Sequence, residues 1–209
     1  MARKCKEETD KTYGLLLDAA EEVFSRKGYA NATFHEIAER AGLTRGAIYW
    51  HFSDKYQMLD AVLRRAQLPW DCLPERFGSL EQTPSLSELG EAIGSGLNEI
   101  VNDPRLHRVT LILLHRTELV VENQQVYCRL TAILDRIKTY LIAVLSWRYR
   151  SADGTPHRNI PAAASSVNSL MTGALYEWLL NQAQIDLTQI PQTVERLIGS
   201  FMGGADEAG

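Results

Sequence analysis

The residues best equipped for chemistry lie between positions 33 and 55, and their chemistry is hydrogen bonding and charge pairing rather than bond breaking. Arg45 carries a planar fork of donors that can pair with both acceptors on a guanine edge. Tyr49 follows one helical turn later, where its hydroxyl can reach a phosphate and its ring a thymine methyl. His51 is spaced for a further phosphate. Lys55, at the expected start of a helix, adds its charge to the helix dipole for another. Thr33 and Thr44 stand at expected helix N-termini and offer hydroxyl and backbone donors. Gly46 and Ala47 are small enough to let a helix backbone lie close to a nucleic acid. Trp50 suits a DNA contact and packing against the rest of the chain equally well. Tyr49 also suits a core position, His51 reads as an ordinary surface histidine too, and Arg45 as a solvated charge.

Positioning these groups requires two short helices that cross steeply through a tight turn. Thr33 caps a helix over 34–41, and Glu36 three residues on completes a capping box. Ala38 supplies the small side chain needed at the crossing, and Gly42, four positions later, tolerates a left-handed backbone. The second helix spans 45–52, with Thr44 as its cap. Ile37, Ala41, Leu43, Ile48 and Phe52 are spaced to pin both to a third helix over 11–27. Leu16, Ala20, Val23 and Phe24 form the buried stripe of that helix, and Gly28 ends it. Beyond residue 54, apolar residues recur at helical spacing over 55–68, 86–101, 105–121, 123–150, 161–182 and 188–203. Pro69, Pro74 and Pro84 interrupt the series. The expected fold is all-α, with about nine helices. A three-helix DNA-binding head at 1–56 carries a mobile basic arm (Arg3, Lys4, Lys6), and a helical body follows at 57–209.

Composition narrows the function classes. The chain has 209 residues and a net charge of −4, so it is not basic over its whole surface. Residues 1–55 hold nine basic and nine acidic side chains, and the excess negative charge falls in the body. Such a balance permits nucleic-acid binding at one end. No apolar run is long enough to cross a membrane, and the N-terminus lacks a signal core, which predicts a cytoplasmic protein with no membrane partner. Cys5, Cys72 and Cys128 are odd in number and unpaired in spacing, so neither a disulfide framework nor a metal site is expected. There is no Gly-x-Ser-x-Gly elbow, no His-Glu-x-x-His and no phosphate-cradling glycine loop, so no enzyme and no cofactor are expected.

The run from Thr44 to Phe52, followed by Asp54-Lys55, resembles the DNA-binding head of the TetR family, and within it the AcrR-like branch that represses multidrug efflux operons. The resemblance covers roughly residues 10–60. Weaker echoes lie at Leu113–Glu118, with Arg116-Thr117-Glu118 where relatives often carry Lys-Cys-Glu, and at Gly173–Leu179. It implies a repressor that binds a palindromic double-stranded operator as a homodimer and is released by a small hydrophobic or cationic ligand. The alternative is control by thiol oxidation or a protein partner. Trp70, Phe77, Leu97, Leu113, Tyr140, Trp147 and Tyr176 are candidate pocket walls, and His115, Glu118 and Asn168 candidate polar anchors. Two apolar stripes are candidates for a four-helix dimer face. The first is Val126, Leu130, Ile133, Leu134, Ile137, Leu141, Val144 and Leu145. The second is Ala162, Ala163, Val167, Leu170, Met171, Ala174, Leu175, Trp178 and Leu179. Both stripes also suit a core within one chain.

Overall fold

Helices begin and end where the sequence is punctuated. The computed structural model describes residues 2–72, 84–118 and 124–203, with side chains described throughout except at 2–7, 71 and 72. Nine α-helices lie among these residues: α1 (Ala2–Lys27), α2 (Phe34–Ala41), α3 (Arg45–His51), α4 (Lys55–Ala66), α5 (Leu86–Asn102), α6 (Pro104–His115), α7 (Gln124–Arg148), α8 (Ile160–Leu180) and α9 (Ile190–Gly203). Short 3-10 turns precede α5 at Pro69–Cys72 and α9 at Leu187–Gln189. The expected all-α fold is the one observed. Three boundary differences have a visible local cause. The basic segment expected as a mobile arm is helical, because α1 starts at Ala2; no glycine or proline before Gly14 interrupts it. Helix α4 stops at Ala66, since Gln67 turns left-handed (φ 48°). Helix α6 stops at His115, where Thr117 Oγ1 donates to the Ile112 carbonyl.

Contacts group Met1–Gln67 with Asp103–Leu130 in one unit, and Leu68–Asn102 with Thr131–Gly209 in another. In the first unit, α1 buries Leu16, Leu17, Ala20, Val23 and Phe24, against which Ile37 and Ala38 of α2 and Ile48 of α3 are equally buried. Helices α4 and α6 complete this core with Met58, Leu59, Val62, Val109 and Ile112. One charged residue is sealed inside it. Glu21 of α1 is fully buried, ion-paired to Arg65 of α4 and faced by Arg105 Nε at 3.4 Å and Arg108 Nη2 at 3.5 Å from α6. Asp18, one turn earlier and exposed, holds Arg65 and Arg105 at 3.0 Å each. Asp60 of α4 is shared by Arg64 (2.7 Å) and by Arg129 at the start of α7 (2.6 Å).

The second unit depends on close helix approach. Gly90 and Gly94 lie one turn apart on α5. A Cβ added to them would stand 2.7 Å from the Glu195 carboxylate and 2.9 Å from Pro191 Cγ, both on α9. Gly96 likewise admits Pro69, whose Cβ would be 2.9 Å from an added methyl group. The stripes considered for the dimer face are mostly core here. Val126, Leu130, Ile133, Ile137, Leu141, Val144 and Leu145 of α7 are buried within the chain. So are Ala163, Val167, Met171, Ala174, Leu175 and Trp178 of α8. Large apolar side chains at these positions are already removed from water in the single chain, so they are not free to face a second copy.

Candidate nucleic-acid interface

The helix-turn-helix is built by local bonds. The Thr33 hydroxyl accepts from the Glu36 amide (3.3 Å), and the Glu36 carboxylate accepts from the Thr33 amide (3.2 Å), closing the capping box on α2. Glu36 is also ion-paired to Lys27, and hydrogen bonds from Lys27 and then Thr33 hold its carboxyl below the usual carboxylate range. Gly42 takes the left-handed conformation (φ 67°), and its neighbour Leu43 donates back to the Ala38 carbonyl at 2.9 Å. That sharp turn re-aims the chain into α3. Thr44 is the N-cap residue of α3, but its hydroxyl makes no capping bond.

Helix α3 is anchored by Ile48 and the following Phe52, both buried, and offers its remaining faces to solvent. Two grooves flank it. On one side Thr33, Phe34, His35, Arg45, Tyr49, Ser53, Asp54 and Lys55 line a groove of about 570 Å³. On the other, Glu8, Thr9, Thr12, Ala47, Trp50 and His51 line one of about 260 Å³. Seven of the nine expected contact residues therefore border one groove or the other; Thr44 and Gly46 are exposed at the start of α3 between them. Arg45 Nη2 donates to the Tyr49 hydroxyl at 2.9 Å, its guanidinium lies 5.4 Å from the centre of that ring, and Phe34 meets Tyr49 edge-on at 5.4 Å. Trp50 is 82% exposed, so its indole is not a core aromatic. His51 is half-buried, with Tyr13 at 5.6 Å.

Charge pairing explains how a neutral head presents positive charge. Glu21 and Asp18 are paired to α4 and α6 arginines, Glu22 to Arg40 and Glu36 to Lys27. Among the described residues Arg45 has no carboxylate partner, so its charge is available to an anion. Lys55, expected as a phosphate contact, is engaged within the chain. Its ammonium donates to the carbonyls of Ala30 (2.9 Å) and Ala32 (3.0 Å) and lies 4.7 Å from the Tyr29 ring centre. Partial burial there lowers its pKa.

A model of bacterial regulatory proteins of the tetR family matches residues 16–62, which span α1 from Leu16 through most of α4. Over 188 residues the chain is 31% identical to the helix-turn-helix transcriptional regulator TtgR of Pseudomonas putida, across 90% of this chain and 89% of that protein. The chain belongs to the TetR family. AcrR of Shigella flexneri is 32% identical over 198 residues, 90% of this chain and 87% of that protein. The solved structure of NalD, described as the secondary repressor of the MexAB-OprM multidrug efflux pump in Pseudomonas aeruginosa, matches with a TM-score of 0.77 at 25% identity. It covers 94% of this chain and 98% of NalD. As a TetR-family regulator the protein is a DNA-binding transcription factor and not an enzyme.

In this TetR-family head, sequence reasoning missed Phe34, His35 and Ser53, which border the larger groove, and Thr12, which borders the smaller. Only Phe34 left a signal, as an apolar residue at the first position of an exposed helix end. The ligand candidates are scattered. Leu113, His115 and Glu118 fall in the first unit; Trp70, Leu97, Tyr140, Trp147, Asn168 and Tyr176 fall in the second. Phe77 lies outside the described residues. Glu118 and Tyr176 are exposed, and Trp147 is covered by Arg150, whose guanidinium is 3.6 Å from its ring centre. Tyr140 is desolvated enough for its hydroxyl pKa to be pushed up to about 12, and the Asn168 Oδ1 is buried without a hydrogen-bond partner among the described residues. Leu97 borders an apolar groove of about 300 Å³ with Gly94, Asn98, Val101, Leu187, Thr188 and Pro191. No helix among the described residues is long and apolar enough to cross a membrane.

Proposed function

We propose that this TetR-family regulator is a dimeric repressor that lays α3 in successive major grooves of a palindromic operator and leaves it when a small hydrophobic or cationic ligand binds. The observation that carries this reading is the outward face of α3, with Arg45, Tyr49 and Trp50 exposed on a helix anchored from behind by Ile48. Arg45 reads a base edge, Tyr49, Trp50 and His51 contact backbone or thymine, and Gly46 and Ala47 allow close approach. Thr33 and Thr44 contribute helix N-termini to phosphates. DNA contact is assigned to residues 1–56, and ligand binding and dimerisation to 57–209. The likeness to NalD supports an efflux operon as the target. Asn168, with its buried unsatisfied oxygen, is the polar anchor we favour, because a ligand donor there would remove a desolvation cost.

Dimerisation is assigned to the outer face of α8. Ala162, Ser166, Ser169, Gly173, Tyr176 and Leu180 follow one another at alternating spacings of four and three, the seam of two packed helices. All but the half-buried Ser166 are exposed, and a Cβ at Gly173 meets nothing within 4 Å. Gly173→Arg therefore fits the single chain and obstructs the second copy. Sedimentation equilibrium should give half the wild-type mass for this variant, with unchanged helical circular dichroism; a retained dimer would move the interface elsewhere. Ligand release is tested by fluorescence anisotropy on the protein's own upstream DNA, with a panel of hydrophobic drugs, cationic dyes and phenols. Reversal by some compounds supports the reading. Tight binding that none of them disturbs turns it toward control by a thiol or a protein partner.

A further inference from the structure

Lys55 opens α4, yet its ammonium turns back across 23 and 25 residues of sequence to the segment joining α1 to α2. Three groups receive it: the carbonyls of Ala30 and Ala32, and the face of Tyr29. Tyr29 and Ala32 are themselves buried, at 5% and 2% exposure, and Ala32 directly precedes Thr33, the cap of α2. The same segment is fixed from a second direction, because the Tyr29 amide donates to the Arg116 carbonyl at the end of α6 at 2.7 Å. An ammonium has three donors and no acceptor, so two carbonyls and a ring face occupy its directions of interaction. What remains exposed beside it is Thr33 with the N-terminus of α2, on the rim of the larger groove.

Resting on the operator-binding reading above, we infer that Lys55 is a positioning residue rather than a phosphate ligand. It clamps the Ala30–Ala32 carbonyls and so holds Thr33 and the α2 N-terminus where they meet a phosphate beside the groove read by α3. Its contribution to DNA affinity passes through the geometry of α2, not through its own charge.

Salt dependence separates these two roles. A side chain that neutralises a phosphate contributes about 0.9 to the slope of log K against log salt concentration, and a dimer would place two such side chains on the operator. Lys55→Met and Lys55→Gln are compared with wild type by anisotropy across a potassium chloride series and by phosphate ethylation interference. The wild-type protein must first bind the operator; if it does not, the functional reading fails before Lys55 is tested. We expect Lys55→Met to bind about tenfold more weakly at every salt concentration. Its slope should be unchanged, with interference lost selectively at the phosphates facing Thr33. Lys55→Gln, uncharged but still a donor to a carbonyl, should recover part of both the affinity and the pattern. A slope shallower by about 1.8, equal in the two variants, would make Lys55 a phosphate ligand. Weakening spread evenly over all phosphates would reduce it to a general stabiliser of the head. Either result overturns the inference.

Discussion

Arg45→Ala is expected to lower specific operator affinity by between about 30-fold and 10⁴-fold while leaving the protein folded and dimeric. The range follows from one bidentate contact to a guanine, worth roughly 1–3 kcal/mol of discrimination, made twice by a dimer. Nothing in the head depends on Arg45 for its packing. It is exposed, and among the described residues its hydrogen bond runs to Tyr49 on the same helix and no acidic residue is paired with it. Loss of stability is therefore not a competing cause. Affinity for unrelated DNA should fall far less, since that affinity comes from the summed phosphate contacts. Tyr49→Ala should follow in the same direction, because it removes both a contact and the hydroxyl and ring that hold the Arg45 guanidinium. Anisotropy on operator and scrambled duplexes, at one fixed salt concentration, measures both effects. An Arg45→Ala protein that still prefers its operator as strongly as wild type would remove α3 from the role of reader.

The largest expected loss of stability comes from Glu21→Ala. Truncating one member of a buried charge cluster leaves the others desolvated and unpaired, at a cost of about 3–5 kcal/mol. Here the partners that lose Glu21 are Arg65 of α4 and, more exposed, Arg105 and Arg108 of α6; Arg65 and Arg105 keep Asp18, so the lower end of that range is expected. For a chain of this size the melting temperature should fall by on the order of 10 °C. Asp18→Ala is the control. It touches two of the same arginines but from an exposed site, where an ion pair contributes about 1 kcal/mol or less. Scanning calorimetry of both variants should therefore show a large decrease for Glu21 and a small one for Asp18. Equal decreases would mean that the cluster acts as a surface network and that the burial of Glu21 is not what matters.

The head was legible because its determinants are local. A capping threonine, a glutamate three residues on, a small residue at the crossing and a glycine at the turn all act within a few positions of one another, and each is found in its expected role. What escaped the sequence lies in contacts between distant segments. Glu21 reads as one more surface charge on an amphipathic helix; only the approach of Arg65, 44 residues later, and of the α6 arginines buries it. Lys55 reads as a cation at a helix start, with no local sign that its stem folds back to Ala30 and Ala32. Helix α8 has apolar residues on two faces, and periodicity alone cannot choose which of them meets its own chain. Val167, Met171 and Trp178 take the core together with Ala163, Ala164 and Ala174, and Ala162, Ser169, Gly173, Tyr176 and Leu180 remain outside, so side-chain size does not make the choice either. A ligand pocket is the least legible feature, because it is a property of several helices at once, and an aromatic residue at helical spacing looks the same in a wall as in a core.

The central claim is that α3 reads a defined operator, and its most direct test is titration of the wild-type protein onto labelled DNA from upstream of its own gene, beside a scrambled duplex of the same length and composition. Binding to the upstream DNA at least about 10³-fold tighter than to the scrambled duplex, with one dimer or a whole number of dimers per palindrome, is the predicted result. Equal affinity for the two duplexes would contradict it.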